Sequence, residues 1–170
     1  LLVFPRFKYP SGELPTGLAT IASYLRKTLP DLKLTLLDTS FQPSFDHVEH
    51  VLKLVKPDIT GIFMDILMAT DALRVARIAK KHGSTVIGGG PHATMMPGEV
   101  LANDCIDAVC VGEGERTLQD YIQTFYGDKC FEEVQGIWFR TNGHIHKTPP
   151  RRFINDIDQL PSPAFDLFDM

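Results

Sequence analysis

Two short apolar runs that end in glycines constrain the fold of this chain more than any other feature. Val86-Ile87 leads into Gly88-Gly89-Gly90, and Val109-Cys110-Val111 leads into Gly112. An apolar run of this length, closed by glycine, is typical of a buried parallel strand that ends in a tight loop. In open α/β folds the loops after the strands lie at one edge of the sheet, and ligands bind there. The sequence therefore predicts both a sheet and the place of its ligand site.

Apolar periodicity predicts an alternation of strands and helices along most of the chain. The predicted strands are Leu1–Phe4, Leu32–Leu37, Ile59–Met64, Thr85–Ile87 and Ala108–Val111. The predicted helices are Thr16–Leu29, Phe45–Val55, Ala69–His82, Glu99–Asn103 and Arg116–Tyr126. Strands joined by helices imply a parallel sheet with right-handed crossovers. We predict an α/β fold with a five-stranded parallel Rossmann-like (flavodoxin-like) sheet, helices on both faces, and 2-1-3-4-5 as the default strand order.

The periodicity changes after Gly127. Residues 136–141 and 144–147 alternate and flank Asn142-Gly143, a strong β-hairpin signal because both residues tolerate positive φ. We expect this hairpin to extend the sheet or to cover its edge. Beyond Pro149-Pro150 the composition predicts an extended strap or linker and not a core element. The predicted division is 1–127 for the α/β domain, 128–150 for the hairpin appendage and 151–170 for the linker.

Composition argues against several classes of function. The net charge of −4, with acids and bases interspersed, lacks the clustered Lys and Arg of a nucleic-acid-binding surface. No apolar run approaches the ~18 residues needed to span a bilayer. The three irregularly spaced cysteines predict neither a disulfide framework nor a metal site and favour a cytoplasmic location. The chain starts with Leu1 and not with Met, so we expect a fragment of a longer protein.

The loops that follow the predicted strands are expected to form one continuous crevice. These loops are residues 5–15, 38–43, 64–69, 88–97 and 112–115. Their glycines allow a bulky ligand to approach the backbone closely, and Thr16 is expected to cap the first helix. The donors are backbone N–H groups and a few hydroxyls. Such a lining suits a large neutral ligand with many amide groups better than a polyphosphate.

Other interpretations of these loops fit less well. Gly88-Gly89-Gly90 does not match G-x-G-x-x-G, and the carboxylates of Glu113 and Glu115 would repel a pyrophosphate. Two alternatives stay open for those carboxylates: they accept hydrogen bonds from a ligand, or they cap the helix predicted from Arg116. His92 either contacts ligand or stabilises the loop through a backbone hydrogen bond.

No set of residues forms a recognisable catalytic or metal-binding pattern. A phospho-acceptor receiver domain would use an aspartate such as Asp65, but the acidic residues after strand one and the lysine after strand five are missing. No Ser/His/Asp or Cys/His arrangement is evident, and no third partner joins His144 and His146. The chain is therefore interpreted as a cofactor holder, with no catalytic residue and no metal ligand of its own.

Several segments together resemble the N-terminal cobalamin (B12)-binding domain of the B12-dependent radical SAM enzymes. They are Pro15–Ala19 with Ile21–Leu25, Lys56–Ile62, Ile87–Thr94 with Pro97, and Val111–Thr117. Three later segments are similar to the part that joins this domain to the catalytic barrel: Gly136–Arg140, Asn142-Gly143 and Asp158–Ala164. The resemblance covers nearly the whole chain. It implies a cobalamin whose corrin lies over the carboxyl edge of the sheet, with its nucleotide tail between sheet and helices.

The predicted crevice and the resemblance together indicate which residues bind the cofactor. They are Thr16, Gly17, Thr39, Ser40, Met64, Asp65, Ile66, Leu67, Gly88, Gly89, Gly90, Pro91, His92, Gly112, Glu113, Gly114 and Glu115. The D-x-H-x-x-G motif of the classical B12 mutases, whose His binds cobalt, is missing after strand one. We therefore expect cobalamin with its own base displaced and no His beneath the metal, and residues 64–68 on that lower side.

The C-x-x-x-C-x-x-C motif of a radical SAM cluster is also missing from these residues. The [4Fe-4S] cluster and S-adenosylmethionine are therefore expected only in a downstream radical SAM domain of the same chain. The resemblance implies a parent methyltransferase that acts through methylcobalamin on an unactivated carbon. The alternatives are a B12-dependent radical cyclase or rearrangement enzyme, a non-catalytic B12 sensor, and a flavin- or nucleotide-binding flavodoxin-like domain.

Overall fold

The computed structural model describes residues 1–5, 14–42 and 44–168. Most of the predicted loop 5–15, together with Pro43 and the last two residues, lies outside these ranges. Within them the strands are β1 (Leu2–Phe4), β2 (Leu36–Asp38), β3 (Ile59–Phe63), β4 (Thr85–Gly89), β5 (Ala108–Cys110), β6 (Ile137–Thr141) and β7 (His144–Lys147). The helices are α1 (Thr16–Thr28), α2 (Asp46–Val55), α3 (Ala69–Lys81), α4 (Pro91–Met95), α5 (Pro97–Leu101) and α6 (Gly114–Tyr126).

The strands form a single sheet with the order β2-β1-β3-β4-β5-β6-β7. The first five strands are parallel, which confirms the predicted fold and the flavodoxin-like order. The hairpin β6–β7 continues the sheet, because β6 pairs antiparallel with β5. Asn142 and Gly143 both have positive φ, of 50° and 78°, as the hairpin signal requires.

Several elements differ in extent from the sequence prediction. β4 continues to Gly89, α5 spans Pro97–Leu101 and not Glu99–Asn103, and α6 starts at Gly114 and not at Arg116. β2 starts at Leu36 and not at Leu32, because its partner β1 offers only Leu2–Phe4 for pairing. The predicted loop 88–97 contains the short helix α4, which Pro91 begins at a position where its fixed φ and missing N–H are favourable. The expected capping by Thr16 is wrong: Pro15 occupies the N-cap position, and the Thr16 hydroxyl donates to Leu14 O at 3.3 Å.

Two hydrophobic cores lie on opposite faces of the sheet, as expected for strands covered on both sides. One core joins Leu2 and Phe4 to α1 and α6. The other joins Val3 to α2, α3, α4 and α5. The alternation of β1 side chains between the two faces separates the cores, so that each helix group is assigned to one face.

The tail is more than a linker. Its last described residues contribute to the core on the α1 and α6 face, where Ala164 is 1% exposed and Phe168 is 7% exposed. Ala164 N donates to Ala19 O of α1 at 3.0 Å. The expectation that the tail contains no core element is therefore wrong for this segment, because apolar side chains of the tail are buried against α1. No helix in the described part of the chain combines the length and hydropathy that crossing a membrane requires.

Candidate functional site

A cleft of about 160 Å³ opens at the carboxyl edge of the sheet, between the strands and the helices α1 and α6. Seven glycines line it: Gly17, Gly61, Gly88, Gly89, Gly90, Gly112 and Gly114. The other lining residues are Leu2, Leu18, Ile21, Ile62, Phe63, Ile87, Cys110 and Leu118. The glycine-ended strands therefore meet at one rim, as the sequence predicts, and the cleft is made of bare backbone and apolar side chains.

The glycine turn after β4 is held against the end of β3 by main-chain hydrogen bonds. Met64 N donates to Gly89 O at 2.6 Å, and His92 N donates to Met64 O at 3.1 Å. Gly90 has a φ of 111°, and a Cβ there would lie 2.8 Å from Met64 O. Only glycine fits this turn, because the backbone conformation and the close contact both exclude a side chain.

Gly17 of α1, Gly114 of α6 and Gly112, which precedes α6, serve different purposes. A Cβ on Gly17 or on Gly112 would meet no atom within 4 Å, so the space beside these residues is open. A Cβ on Gly114 would lie 2.6 Å from Ile21 Cδ1, so this glycine lets the first turn of α6 approach α1 closely. The two helices therefore form one continuous wall, with open space next to Gly17.

The cleft carries no formal charge on the side chains that line it. Burial raises the pKa of the Cys110 thiol to about 12, so the thiol is neutral at physiological pH. Glu113 and Glu115 lie outside the set of lining residues. The Glu113 carboxylate accepts a hydrogen bond from Ile154 N at 2.7 Å. Burial, followed by the charge of Glu113, raises the pKa of Glu115.

Several hydroxyls predicted to bind ligand make hydrogen bonds within the protein. Thr39 is fully buried, and its Oγ1 donates to Phe4 O at 3.0 Å. Ser40 Oγ donates to Asp38 Oδ1 at 2.6 Å. These bonds stabilise the loop after β2. Sequence reasoning did not foresee the bond from Gly112 N to Thr94 Oγ1, 3.1 Å long, which links the two glycine loops.

The predicted residues after β3 divide between core and surface. The Met64 side chain is 1% exposed and packs under Gly88 in the core opposite the cleft. Asp65 Oδ1 accepts a hydrogen bond from Leu67 N at 2.9 Å and so stabilises the turn. Ile66 and Leu67 are 66% and 68% exposed at the rim of the sheet. The loop thus presents two apolar side chains to whatever lies above this edge.

His92 is not among the residues that line the cleft. Its side chain is only 8% exposed, and its Nε2 lies 3.8 Å from Glu99 Oε1 of α5. In the described ranges, no three His, Cys, Asp or Glu side chains converge closely enough to hold a metal ion. The sequence prediction did not include three other exposed apolar residues in the segments after β2 and β4: Phe41, Met95 at the end of α4, and Met96. Large apolar residues inside loops predicted to bind ligand are the signal in the sequence that would have found them.

A parallel 2-1-3-4-5 order with a cleft at the carboxyl edge is that of the flavodoxin-like α/β domains, which bind ligands at this edge. The sequence model of the B12-binding domain matches residues 8–122, and the chain belongs to this family. The resemblance that the motifs indicate is thereby confirmed.

Three characterised or named proteins are similar in sequence. An uncharacterised methyltransferase of Pyrococcus horikoshii is 34% identical over 160 residues, which cover 92% of this chain and 34% of that protein. The cytidylyl-2-hydroxyethylphosphonate methyltransferase of Streptomyces wedmorensis is 26% identical over 208 residues, covering 97% and 38%. The anaerobic magnesium-protoporphyrin IX monomethyl ester cyclase of Rubrivivax gelatinosus is 27% identical over 175 residues, covering 94% and 31%. The chain spans about a third of the length of these relatives.

Two solved structures share the fold over nearly the whole chain. The cobalamin-dependent S-adenosylmethionine radical enzyme OxsB, with aqua-cobalamin and S-adenosylmethionine bound, superposes with a TM-score of 0.86 at 23% identity, covering 98% of this chain and 24% of OxsB. The radical S-adenosylmethionine methyltransferase TsrM from Kitasatospora setae, with cobalamin and a [4Fe-4S] cluster bound, has a TM-score of 0.76 at 17% identity, covering 96% and 31%.

Proposed function

We propose that this B12-binding domain holds cobalamin for a radical SAM methyltransferase. The observation that carries the proposal is the uncharged, glycine-lined cleft at the carboxyl edge of the sheet. A polyphosphate would need cationic groups, whereas a neutral ring system with amide substituents suits bare backbone and apolar walls. The similarity to two proteins named as methyltransferases supports methyl transfer as the reaction class.

The residues that fit the cofactor are mainly those that expose backbone. We propose that Gly17, Gly88, Gly89, Gly112 and Gly114 accommodate its nucleotide tail in the cleft. When bound, cobalamin supplies a cobalt centre suited to carrying a methyl group. The protein contributes shape, hydrogen-bonding groups of the backbone at the glycines, and apolar side chains that cover the rest of the cleft.

Two features near the carboxyl edge bear on the surroundings of a bound cobalt. Ile66 and Leu67 are exposed apolar side chains at the rim, whereas the His92 imidazole is turned towards Glu99. We propose that the protein would offer cobalt no histidine and that Ile66 and Leu67 would give the bound ring an apolar neighbour. A paramagnetic resonance spectrum of the cob(II)alamin form without hyperfine coupling to a protein nitrogen is the expected result. Nitrogen coupling that disappears in His92→Ala would contradict it.

A direct test of the cofactor uses the full-length protein, mixed with hydroxocobalamin, FMN or NAD and then passed through a desalting column. Hydroxocobalamin is expected to stay with the protein, with a shifted visible spectrum, while FMN and NAD are removed. Retention of FMN in place of hydroxocobalamin would favour the flavodoxin-like alternative.

The reaction class needs its own test. Similarity to the Rubrivivax gelatinosus cyclase favours a radical cyclase as the second candidate. With S-adenosylmethionine labelled in its methyl group and a reductant that gives cob(I)alamin, a methyltransferase is expected to release S-adenosylhomocysteine and to leave label on the cobalamin bound to the full-length protein. A cyclase is expected to cleave S-adenosylmethionine without that transfer. A gene that continues into a DNA-binding module and not into a C-x-x-x-C-x-x-C motif would instead indicate a B12 sensor.

A further inference from the structure

The chain that leaves the hairpin is attached to the first turns of α6. We call residues 151–168 the strap. Arg151 Nε donates to Thr117 Oγ1 at 2.9 Å, and another N–H of its guanidinium pairs with the Asp120 carboxylate. The Arg151 side chain is only 15% exposed. Three residues later, Ile154 N donates to Glu113 Oε2 at 2.7 Å. All three bonds involve a charged group and are therefore stronger than ordinary hydrogen bonds.

The strap then reaches α1. Ala164 N donates to Ala19 O at 3.0 Å, and the Asp166 carboxylate pairs with both terminal nitrogens of Arg26 at 2.7 and 3.2 Å. Ala164 is buried in the same core as α1 and α6. The strap therefore connects two helices that are far apart in sequence and adjacent in space.

These two helices form the outer wall of the cleft. Gly112 and Gly114 line the cleft and stand on either side of Glu113, and Leu18 lines it next to Ala19. Three of the points where the strap is attached, Glu113, Thr117 and Ala19, are thus sequence neighbours of a lining residue. A displacement of the strap would move Glu113 or Ala19, and the lining residues would move with them.

We infer that Glu113 and Arg151 are positioning residues for the cofactor cleft, because they fasten the strap across its outer wall. Cofactor binding and strap attachment then stabilise each other, since coupling between two sites is reciprocal. This inference rests on the proposed function, because cobalamin is the ligand that fills the cleft. It assigns Glu113 an attachment role in place of direct contact with the cofactor.

The test combines binding and amide exchange in the full-length protein. The variants are Glu113→Ala and Arg151→Gln, with Glu113→Gln as the conservative change that keeps an acceptor for Ile154 N. Arg152 is exposed next to Arg151, so Arg152→Gln is the matched control. Hydroxocobalamin affinity is measured by absorbance titration. Hydrogen–deuterium exchange of a peptide around Ile154 is measured with and without hydroxocobalamin.

In the unmodified protein, hydroxocobalamin is expected to slow exchange around Ile154. Glu113→Ala and Arg151→Gln should weaken binding about fivefold or more, the lower end of typical coupling between sites, and remove that slowing. The hydroxocobalamin affinity of Glu113→Gln should lie between those of Glu113→Ala and the unmodified protein. The affinity of Arg152→Gln should equal that of the unmodified protein. The Arg151→Gln variant distinguishes loss of strap attachment from loss of a direct contact with the cofactor. The Arg151 guanidinium is bonded to Thr117 and Asp120 and is not among the groups that line the cleft.

Two failures are distinguishable. If the unmodified protein does not retain hydroxocobalamin, the proposed function fails and the coupling fails with it. If it binds, but the Glu113 and Arg151 variants bind equally well while the strap exchanges faster, the coupling alone is wrong. A circular dichroism spectrum like that of the unmodified protein shows that a variant is folded. If Glu113→Ala does not fold, the binding of Glu113→Gln is compared with that of the unmodified protein in its place.

Discussion

Gly17 and Gly90 illustrate two different needs for a missing side chain. Gly90 has a backbone conformation and a contact with Met64 O that exclude any other residue. Gly17 lies in the first turn of α1, where nothing is within 4 Å of the position a Cβ would occupy. Gly90 is therefore needed for the turn conformation, whereas Gly17 leaves open space beside α1. Substitutions at Gly17 can thus test the cleft without disturbing the fold.

Gly17→Leu should fill part of the cleft while the chain stays folded. Leucine favours a helix by several tenths of a kcal/mol over glycine, so stability should not fall. Hydroxocobalamin affinity should drop about tenfold or more, equivalent to ~1.4 kcal/mol, as measured by absorbance titration. Lys27→Leu, which adds the same side chain on the exposed last turn of α1, should bind normally. Unchanged binding by Gly17→Leu would place the ligand elsewhere.

The raised pKa of Glu115 predicts that this residue makes a pH-dependent contribution to the free energy of unfolding. Its pKa in the folded protein is raised by burial and by Glu113, so the folded state favours the protonated carboxyl. That contribution is fully present below the pKa of the unfolded chain and is lost as pH rises through the higher folded pKa. Glu115→Gln should therefore stabilise the protein more at about pH 7 than at about pH 4 in urea unfolding. Glu132→Gln, at an exposed position, should show no such difference; an equal effect of Glu115→Gln at both pH values would contradict the assignment.

At the scale of whole elements, the strap is the least expected part of the molecule. Its composition is that of a linker, yet short 3-10 helices at Ile157–Gln159 and Phe165–Leu167 interrupt it, and its end is buried against α1. Burial of an aromatic side chain stabilises more than an exposed ion pair does. Phe168 should therefore hold the strap more strongly than the exposed pair Arg26–Asp166.

Phe168→Ala should lower the free energy of unfolding by about 3 kcal/mol, because it removes a buried aromatic ring and leaves a cavity. Asp166→Asn should have a much smaller effect, since the ion pair it weakens is exposed to water. Urea unfolding of the 170-residue chain, followed by circular dichroism, measures both. Equal effects of the two substitutions would mean that the end of the strap is not packed in solution.

At the scale of the whole molecule, the sheet separates two cores with different tasks. The core on the α2 and α3 side lies behind the cleft, and Met64 packs there under Gly88. The core on the α1 and α6 side borders the cleft itself. Ligand binding is therefore expected to affect one side of the sheet more than the other.

Hydroxocobalamin should slow amide exchange in α1 and α6 more than in α2 and α3. The physical reason is that the first pair of helices forms the wall of the cleft, whereas the second pair is screened from it by the sheet. Hydrogen–deuterium exchange with mass spectrometry of the 170-residue chain compares the two pairs within one sample. Equal protection of all four helices would indicate general stabilisation by binding and not a cleft on one face.

The sequence was most informative where structure depends on local pattern. Apolar periodicity located the strands of the parallel sheet and most of the helices, and Asn142-Gly143 located the hairpin turn. The convergence of the glycine loops also followed, because parallel strands end at a common edge. Of the predicted site residues, Gly17, Gly88–Gly90, Gly112 and Gly114 line the cleft. A glycine has no side chain to cover its backbone, so the positions of bare backbone can be read from the sequence.

The tertiary structure alone decided which distant parts of the chain are in contact. Glu113 bonds to Ile154, 41 positions away, and the buried Thr39 hydroxyl bonds to Phe4 O, 35 positions away. No local pattern distinguishes a polar side chain that faces a ligand from one that bonds to the protein. The sequence by itself thus determined the sheet and its glycine rim, because these follow from periodicity and backbone freedom. The inward direction of Thr39, the attachment of Glu113 and the burial of Phe168 depend on which surfaces meet when the chain is folded.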